Sequence, residues 1–370
     1  MAPKRPKGAG AFPKAVEPPA PHKPDPDSLY AALDLGTNSC RMLIAQPKGN
    51  QFHVVDSFSK SVQLGHGLSS SGRLSRASMG RTVQALKICQ SKLQKHEVAR
   101  MRLVATEACR RAANARDFMR FVRRETGLKL EIIKPEEEAR LAVISCAPLV
   151  ARKTEQLLVV DIGGGSTELV WIDVSGVPQD QRQQAIMRLR TGFEGDPGPF
   201  PAARVVDWIS VPLGVATLRE QFDDVADDAA RFALMSWFFE EQLGDFSPFH
   251  QEQARDGFQI IGTSGTVTTV AATHLGLKRY DRNKVDGLRM SSDQIDKVIR
   301  GYLLAGPDGR RADPRIGKDR QALIMSGAAI LQALLRIWPT DRLSVADRGL
   351  REGLLYQQMS SDGVLEGGPY

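Results

Sequence analysis

The chain has 370 residues, 42% of them hydrophobic and 25% charged, with a formal net charge of +7. That length allows two or three domains and a sizeable core, and the balance of apolar and charged residues is that of a soluble globular protein rather than a disordered chain. The basic excess suits a partner carrying many negative charges or, more blandly, a solubilising surface, while four cysteines with no C-x-x-C spacing argue against a zinc knuckle or a thioredoxin-like pair.

Residues 1–27 are rich in Pro, Ala and Lys and lack an apolar signal region, so they are expected to be a disordered tail. Order is predicted to begin near Ser28. Strands are expected at 29–34, 42–46 and 52–58, as a meander. An amphipathic helix follows over 75–97, with Ser75 as N-cap. A strand at 101–106 leads into helical stretches at 107–113 and 115–126, the second capped by Asn114. A strand at 130–134 then precedes a helix over 135–150, which has Pro135 at its first position.

The pattern then restarts. Strands are predicted at 157–162, 166–174 and 208–213, and helices at about 214–222 and 226–243. A strand at 258–262 runs into a Thr/Ser/Gly turn and a helix to about 275. Helices near 291–304 and 319–337, a strand at 342–347 and a helix over about 349–359 complete the chain. Each half opens with an apolar strand, an aspartate and a glycine-bearing turn: LDLGTNS in the first, VDIGGGST in the second. The repeat implies two similar α/β lobes, residues 28–148 and 149–360, with the last helix packing back on the first lobe and a flexible end at 361–370. A ligand would sit between the lobes. Residues 175–207, rich in Gly, Pro, Gln and Arg, read as an inserted loop.

Three turns could hold phosphate. Gly36, Thr37, Asn38 and Ser39 form one, Gly163, Gly164, Gly165, Ser166 and Thr167 a second, and Ser264, Gly265 and Thr266 a third at a helix start. Glycines let backbone N–H groups close on an anion, and a helix N-terminus adds its dipole. Any one alone would read as an ordinary turn. None fits the Walker A or dinucleotide pattern. Asp161, Glu168 and Asp34, the last of which could equally cap its turn, would repel phosphate without a hard cation between them, most simply Mg²⁺. Glu136, Glu137 and Glu138 fill the first turn of the 135–150 helix, where the dipole favours acids. One of them could act as a general base, and the residues alone do not choose which. Arg110 and Arg111 follow a strand, and either could contact phosphate or make a surface ion pair.

DLGTNSCRMLIA, VATEACRRAANARDF, PEEEARL, LLVVDIGGGSTELV, VPLGVATL, IIGTSGTVTTVAA and ADRGLREGLLYQQM occur in that order. This set resembles the exopolyphosphatase/guanosine pentaphosphate phosphohydrolase family, over roughly residues 28–360. The resemblance implies a duplicated ribonuclease-H-like fold, shared with actin, sugar kinases and chaperone ATPases. It implies Mg²⁺-dependent release of the terminal phosphate of polyphosphate, or of the 5′ γ-phosphate of pppGpp to give ppGpp; the unpatterned cysteines make a reducing cytoplasm the default. It singles out Glu138 as general base and Asp161 and Glu168 as metal ligands. It assigns phosphate contacts to the three turns and to Arg110. No membrane or specific nucleic-acid partner is implied, and a homodimer is a candidate assembly. Lys134-Pro135 departs from the family's usual Ser-Gly, the 175–207 insertion puts the second lobe's hairpin in question, and the chain reads as a short form without the additional C-terminal helical domain of longer members. The competing expectations are an ATP-dependent kinase or ATPase on the same fold, and a non-catalytic sensor of phosphate-rich ligands. The glutamate base argues against the first, because a kinase must keep water out.

Overall fold

The computed structural model describes residues 27–189, 193, 202–246, 248 and 257–365. The predicted tail at 1–26, the end at 366–370 and part of the predicted insertion, 190–192 and 194–201, lie outside the described residues.

In the first lobe, β1 (Tyr30–Leu35), β2 (Ser39–Lys48) and β3 (Gln51–Ser61) form an antiparallel meander. After the short α1 (Leu68–Ser71) and the long α2 (Arg76–Lys95), β4 (Arg100–Ala105) pairs parallel to β1. Helices α3 (Glu107–Arg111) and α4 (Ala115–Thr126) lead to β5 (Glu131–Ile132), parallel to β4, and then to α5 (Pro135–Cys146). The sheet order is β3-β2-β1-β4-β5.

The second lobe repeats this. Strands β6 (Gln156–Ile162), β7 (Thr167–Asp173) and β8 (Arg204–Val211) form the meander, with α6 (Arg182–Arg188) between the last two. Helices α7 (Val215–Gln221) and α8 (Asp228–Glu241) precede β9 (Phe258–Thr263), which pairs parallel to β6. Then come α9 (Gly265–His274), α10 (Arg282–Val285), β10 (Arg289–Met290), α11 (Ser292–Ala312), α12 (Ile324–Ile337), β11 (Leu343–Ala346) and α13 (Leu350–Ser361). The order β10-β11-β9-β6-β7-β8 retraces the first sheet, with β10 added at the edge.

Alternation along the central strands decides what each sheet face meets. Ala31, Leu33 and Leu35 join one core with α2 and α4, while Tyr30 and Ala32 join another. On β6, Leu158, Val160 and Ile162 face a core shared with α8, α9 and α12, and Leu157 and Val159 face the opposite way. Helices α5 and α13 fill the space between the two sheets. Ala139, Val143 and Cys146 of α5 pack on β6 and β7 of the second lobe. Leu141 and Ile144 of the same helix share a core with Leu350, Leu354, Leu355 and Met359 of α13 and with β1 and β2. Each lobe thus closes with a helix sandwiched between both sheets. The two helices cross at Gly353, where an added Cβ would lie 2.8 Å from the carbonyl carbon of Leu141.

Local expectations met the structure unevenly. Ser75 caps α2, its Oγ accepting from the Ser78 N–H at 3.1 Å. Asn114 begins α4 without capping it. Its side chain instead accepts from Leu74 N–H at 2.8 Å and donates to Leu74 O at 3.0 Å, fastening the loop before α2. The predicted strand over 130–134 is only two residues long. The 175–207 stretch is not simply a loop. Within it α6 packs Ala185 and Ile186 into the core beside β6 and β7, and β8 completes the hairpin with β7. Among the described residues, no helix is long and apolar enough to cross a membrane.

Candidate active site

Two hairpin turns at equivalent places in the two sheets face each other across the interlobe cleft. In the first, Asp34 pairs with Arg41 across β1 and β2, and Gly36 N–H donates to Ser39 O at 2.9 Å. In the second, Asp161 pairs with Glu168 across β6 and β7, and Gly163 N–H donates to Ser166 O at 2.9 Å. The geometry is duplicated and the chemistry is not. A guanidinium stands in the first lobe where a carboxylate stands in the second.

The three glycines make room chiefly for protein. A Cβ on Gly164 would lie 3.1 Å from Asn38 Cβ and N. One on Gly165 would lie 3.1 Å from Thr37 Cβ and 3.2 Å from Glu107 Cγ. Gly214 closes on the same turn from below, its missing Cβ 2.5 Å from Gly163 O, Gly164 C and Gly165 N. The turns therefore interlock, and the side-chain-free backbone lets them do so. Gly164 and Gly165 still line the cleft with Gly36, Thr37, Asn38, Ser39, Gly163 and Ser166. Among the described residues nothing accepts from the Gly164 and Gly165 N–H groups, so they remain free to donate to an anion. Thr167 is the exception among the predicted contacts of these two turns. It is fully buried, and its hydroxyl donates to Leu213 O at 2.8 Å.

The third turn differs from expectation. Ser264, held at φ 154°, accepts with Oγ from the N–H groups of Thr266 and Val267, so the helix start is already capped by its own serine. Arg320 lies over it, donating to Gly265 O at 2.6 Å and Thr269 Oγ1 at 2.5 Å. Ser264, Gly265 and Thr266 line the cleft, and Arg320 supplies the charge there. Arg41, Arg348 and Arg351 line the same cleft. Burial lowers the pKa of Arg41, and the nearby Arg351 and Arg320 charges lower it further. No motif flagged Arg320, and Arg348 and Arg351 lie in the ADRGLREGLLYQQM stretch without a role assigned to either. Each gains its place only when α12, β11 and α13 return to the cleft.

The three first-turn glutamates of α5 separate cleanly. Glu136 is exposed, and Glu137 pairs with Arg102 at 2.7 Å. Glu138, at the position turned inward, is buried and lines the cleft. Arg110 holds it, with Nη1 donating to Glu138 Oε2 at 2.6 Å and to Ile133 O at 3.1 Å, and Nε donating to Glu107 Oε2 at 3.0 Å. Arg110 is thus committed to two carboxylates and does not line the cleft as predicted.

Burial dominates the electrostatics. It pushes Glu138 well above the usual carboxylate range, Glu168 adds to this, and Arg110 opposes it. Asp161 is pushed up to about 8 by burial and then by the Glu138 and Asp34 charges. Glu168 is pushed up to about 7 by burial and Asp161, against hydrogen bonds from Ser166 and Ser210. Asp34 is raised by burial, with Arg41 and Arg351 opposing. Among the described residues no donor hydrogen-bonds to the carboxylate of Asp34 or Asp161, and no group of three or more His, Cys, Asp or Glu forms a metal cage. That donor set fits Mg²⁺, which binds through one or two carboxylates and substrate phosphates rather than a closed cage. Asp161 and Asp34 face the cleft. Glu168 is 2% exposed, lies outside the cleft wall and accepts from Ser210 Oγ at 2.8 Å.

Residues 43–362 match the model of the Ppx/GppA phosphatase family. The crystal structure of the Aquifex aeolicus member of that family is 30% identical, with a TM-score of 0.69 over 90% of this chain and 98% of that one. An exopolyphosphatase-like protein is 27% identical, with a TM-score of 0.75 over 90% and 98% of the two chains. An exopolyphosphatase from Cytophaga hutchinsonii, 21% identical, shares the fold at a TM-score of 0.75 over 92% and 100%. The chain belongs to the Ppx/GppA phosphatase family and is a phosphoric anhydride hydrolase on the two-lobe actin-like fold.

Proposed function

We propose that the chain is an exopolyphosphatase that releases orthophosphate from the end of inorganic polyphosphate. The observation that carries this is the cleft wall. It sets Arg41, Arg320, Arg348 and Arg351 among six carboxylates, Asp34, Glu107, Glu138, Asp161, Asp319 and Asp347, and among the described residues it contains no Phe, Tyr or Trp. Guanidiniums suit successive phosphates. A base is commonly held by stacking on an aromatic ring, and none is offered here.

Glu138 accepts a proton from a water as the water oxygen attacks the terminal phosphorus, and the bridging P–O bond breaks to leave a chain shorter by one phosphate. Arg110 fixes the Glu138 carboxylate against that water. The Gly164 and Gly165 N–H groups and the cleft arginines offset the charge of the phosphoryl oxygens. Asp161 and Asp34, with Glu168 behind Asp161, would hold Mg²⁺, which supplies further charge neutralisation when bound. The four cysteines, Cys40, Cys89, Cys109 and Cys146, are free and buried, in keeping with a reducing cytoplasm. Phosphate release from polyphosphate and from pppGpp, measured side by side with Mg²⁺, tests the reading. Turnover of pppGpp without turnover of polyphosphate would replace it with the pentaphosphate phosphohydrolase reading.

A further inference from the structure

Resting on the polyphosphate reading, we infer that a second basic hollow, beside the cleft on the second lobe, holds distal phosphates of a long polyphosphate chain. The hollow is lined by Arg219, Arg231, Arg310, Arg311 and Lys318, with Asp228 as its single carboxylate among the described residues. Two walls are continuous with the cleft. On α7, Val215 lines the cleft, and Arg219, one turn or about 6 Å further along the axis, lines the hollow. On the segment entering α12, Arg320 and Leu323 face the cleft, while Lys318 and Ala322 face the hollow. Arg219 donates to Ala322 O, which fastens α7 to that segment.

The cations differ in how far they are committed. Arg310 is buried and donates to Tyr302 O at 2.7 Å and Asp228 at 2.8 Å, so it is a structural pin. Arg311 pairs with Asp308, and Arg219 lies 4.0 Å from Asp223. Both acids are well exposed and outside the hollow. Arg231 donates to Val225 O and has no carboxylate partner among the described residues. Lys318 is exposed and has no described partner. Lys318 also borders a third recess with Arg315, Asp319 and Arg320, which joins the cleft to the hollow with three cations against one lining carboxylate.

Several cations spread along a path call for a repeating anion rather than one phosphate. The uncharged lining is Met235, Pro307, Gln321, Ala322, Met325 and Ser326, so no ring is present to stack a nucleotide base. Polyphosphate, which is all charge and no base, fits the hollow better than RNA, although Tyr280 borders the recess that leads to it.

The test is equilibrium binding of long-chain polyphosphate, tripolyphosphate and single-stranded RNA of matched charge. It uses the Glu138→Gln enzyme, which should bind without turnover, with and without the added pair Arg311→Ala and Lys318→Ala. Both added positions are exposed, and thermal unfolding confirms that the variant folds; Lys318→Glu alone serves as a second probe. The inference expects long-chain affinity to fall roughly three- to tenfold and its salt slope to flatten by about 2, with tripolyphosphate binding unchanged. Equal effects on long and short chains, or none, would overturn it, as would RNA binding as tightly as polyphosphate and weakening by the same factor. The proposed function fails separately: an enzyme that hydrolyses no polyphosphate, yet binds it through Lys318, would lose the function reading and keep this site.

Discussion

Gly214 sits where the end of β8 meets the triple-glycine turn. Its backbone, at φ −115° and ψ −174°, is one that alanine also adopts. The obstacle to Gly214→Ala is therefore steric alone. The new Cβ would fall 2.5 Å from three backbone atoms of Gly163, Gly164 and Gly165, and ordinary contact begins at 3.4 Å. Relief requires about 0.9 Å of movement, and the backbone atoms it meets cannot rotate away as a side chain would. Overpacking of this kind costs about 1–3 kcal/mol. Because the turn that must move also carries the free Gly164 and Gly165 N–H groups, kcat should fall as well. A displacement near 1 Å can cost about 100-fold in rate. Urea unfolding and steady-state phosphate release measure the two effects. Gly80→Ala is the control: Gly80 lies inside α2 with nothing within 4 Å of its missing Cβ, and alanine there should add about 0.5–1 kcal/mol. Native stability and native kcat in Gly214→Ala would refute the interlocking of the turns.

Arg110→Ala should lower kcat by about 10- to 100-fold with KM little changed, because it releases Glu138 rather than a substrate contact; a large rise in KM alone would instead mark Arg110 as a phosphate ligand. Gly353→Ala drives a Cβ against the backbone of Leu141 where α5 and α13 cross, and should cost about 1–3 kcal/mol in chemical denaturation. Asp56 is held below the ordinary carboxylate range, first by Lys92 and then by His96 and the Ser57 N–H. A lowered folded-state pKa stabilises above the unfolded value and is lost as pH falls through the folded one. The unfolding midpoints of wild type and Asp56→Asn should therefore differ at neutral pH and converge below about pH 4; a gap that widened in acid would contradict the assignment.

The repeat was legible because each lobe starts with the same local chemistry, an apolar strand running into an aspartate and a glycine turn. The apolar runs at 29–34 and 157–162 likewise marked strands, and the structure buries nearly every residue of both. What a helix packs against was harder to read. The apolar pattern of α5 shows a buried helix, not that one stripe serves the second lobe and another meets α13. The choice among Glu136, Glu137 and Glu138 depends on that same orientation, so the residues alone left it open. The purpose of Gly163–Gly165 was read as room for phosphate, because their nearest neighbour, the Thr37–Asn38 turn, lies in the other half of the sequence. Arg320 carries no motif, Arg351 lies in a motif that gave it no role, and only the return of the C-terminal elements brings them to the cleft. Arg110 was read as a phosphate contact. The adjacent Glu107 that claims its guanidinium was visible in the sequence, but Glu138 lies 28 residues away.

The most direct measurement of how the cleft works is phosphate release from polyphosphate by the Glu138→Gln enzyme beside wild type, together with substrate binding by both. Loss of about 100-fold or more in rate with binding retained is the expected result for a general base in this position. Near-normal turnover by Glu138→Gln would remove Glu138 from the chemistry and contradict the mechanism.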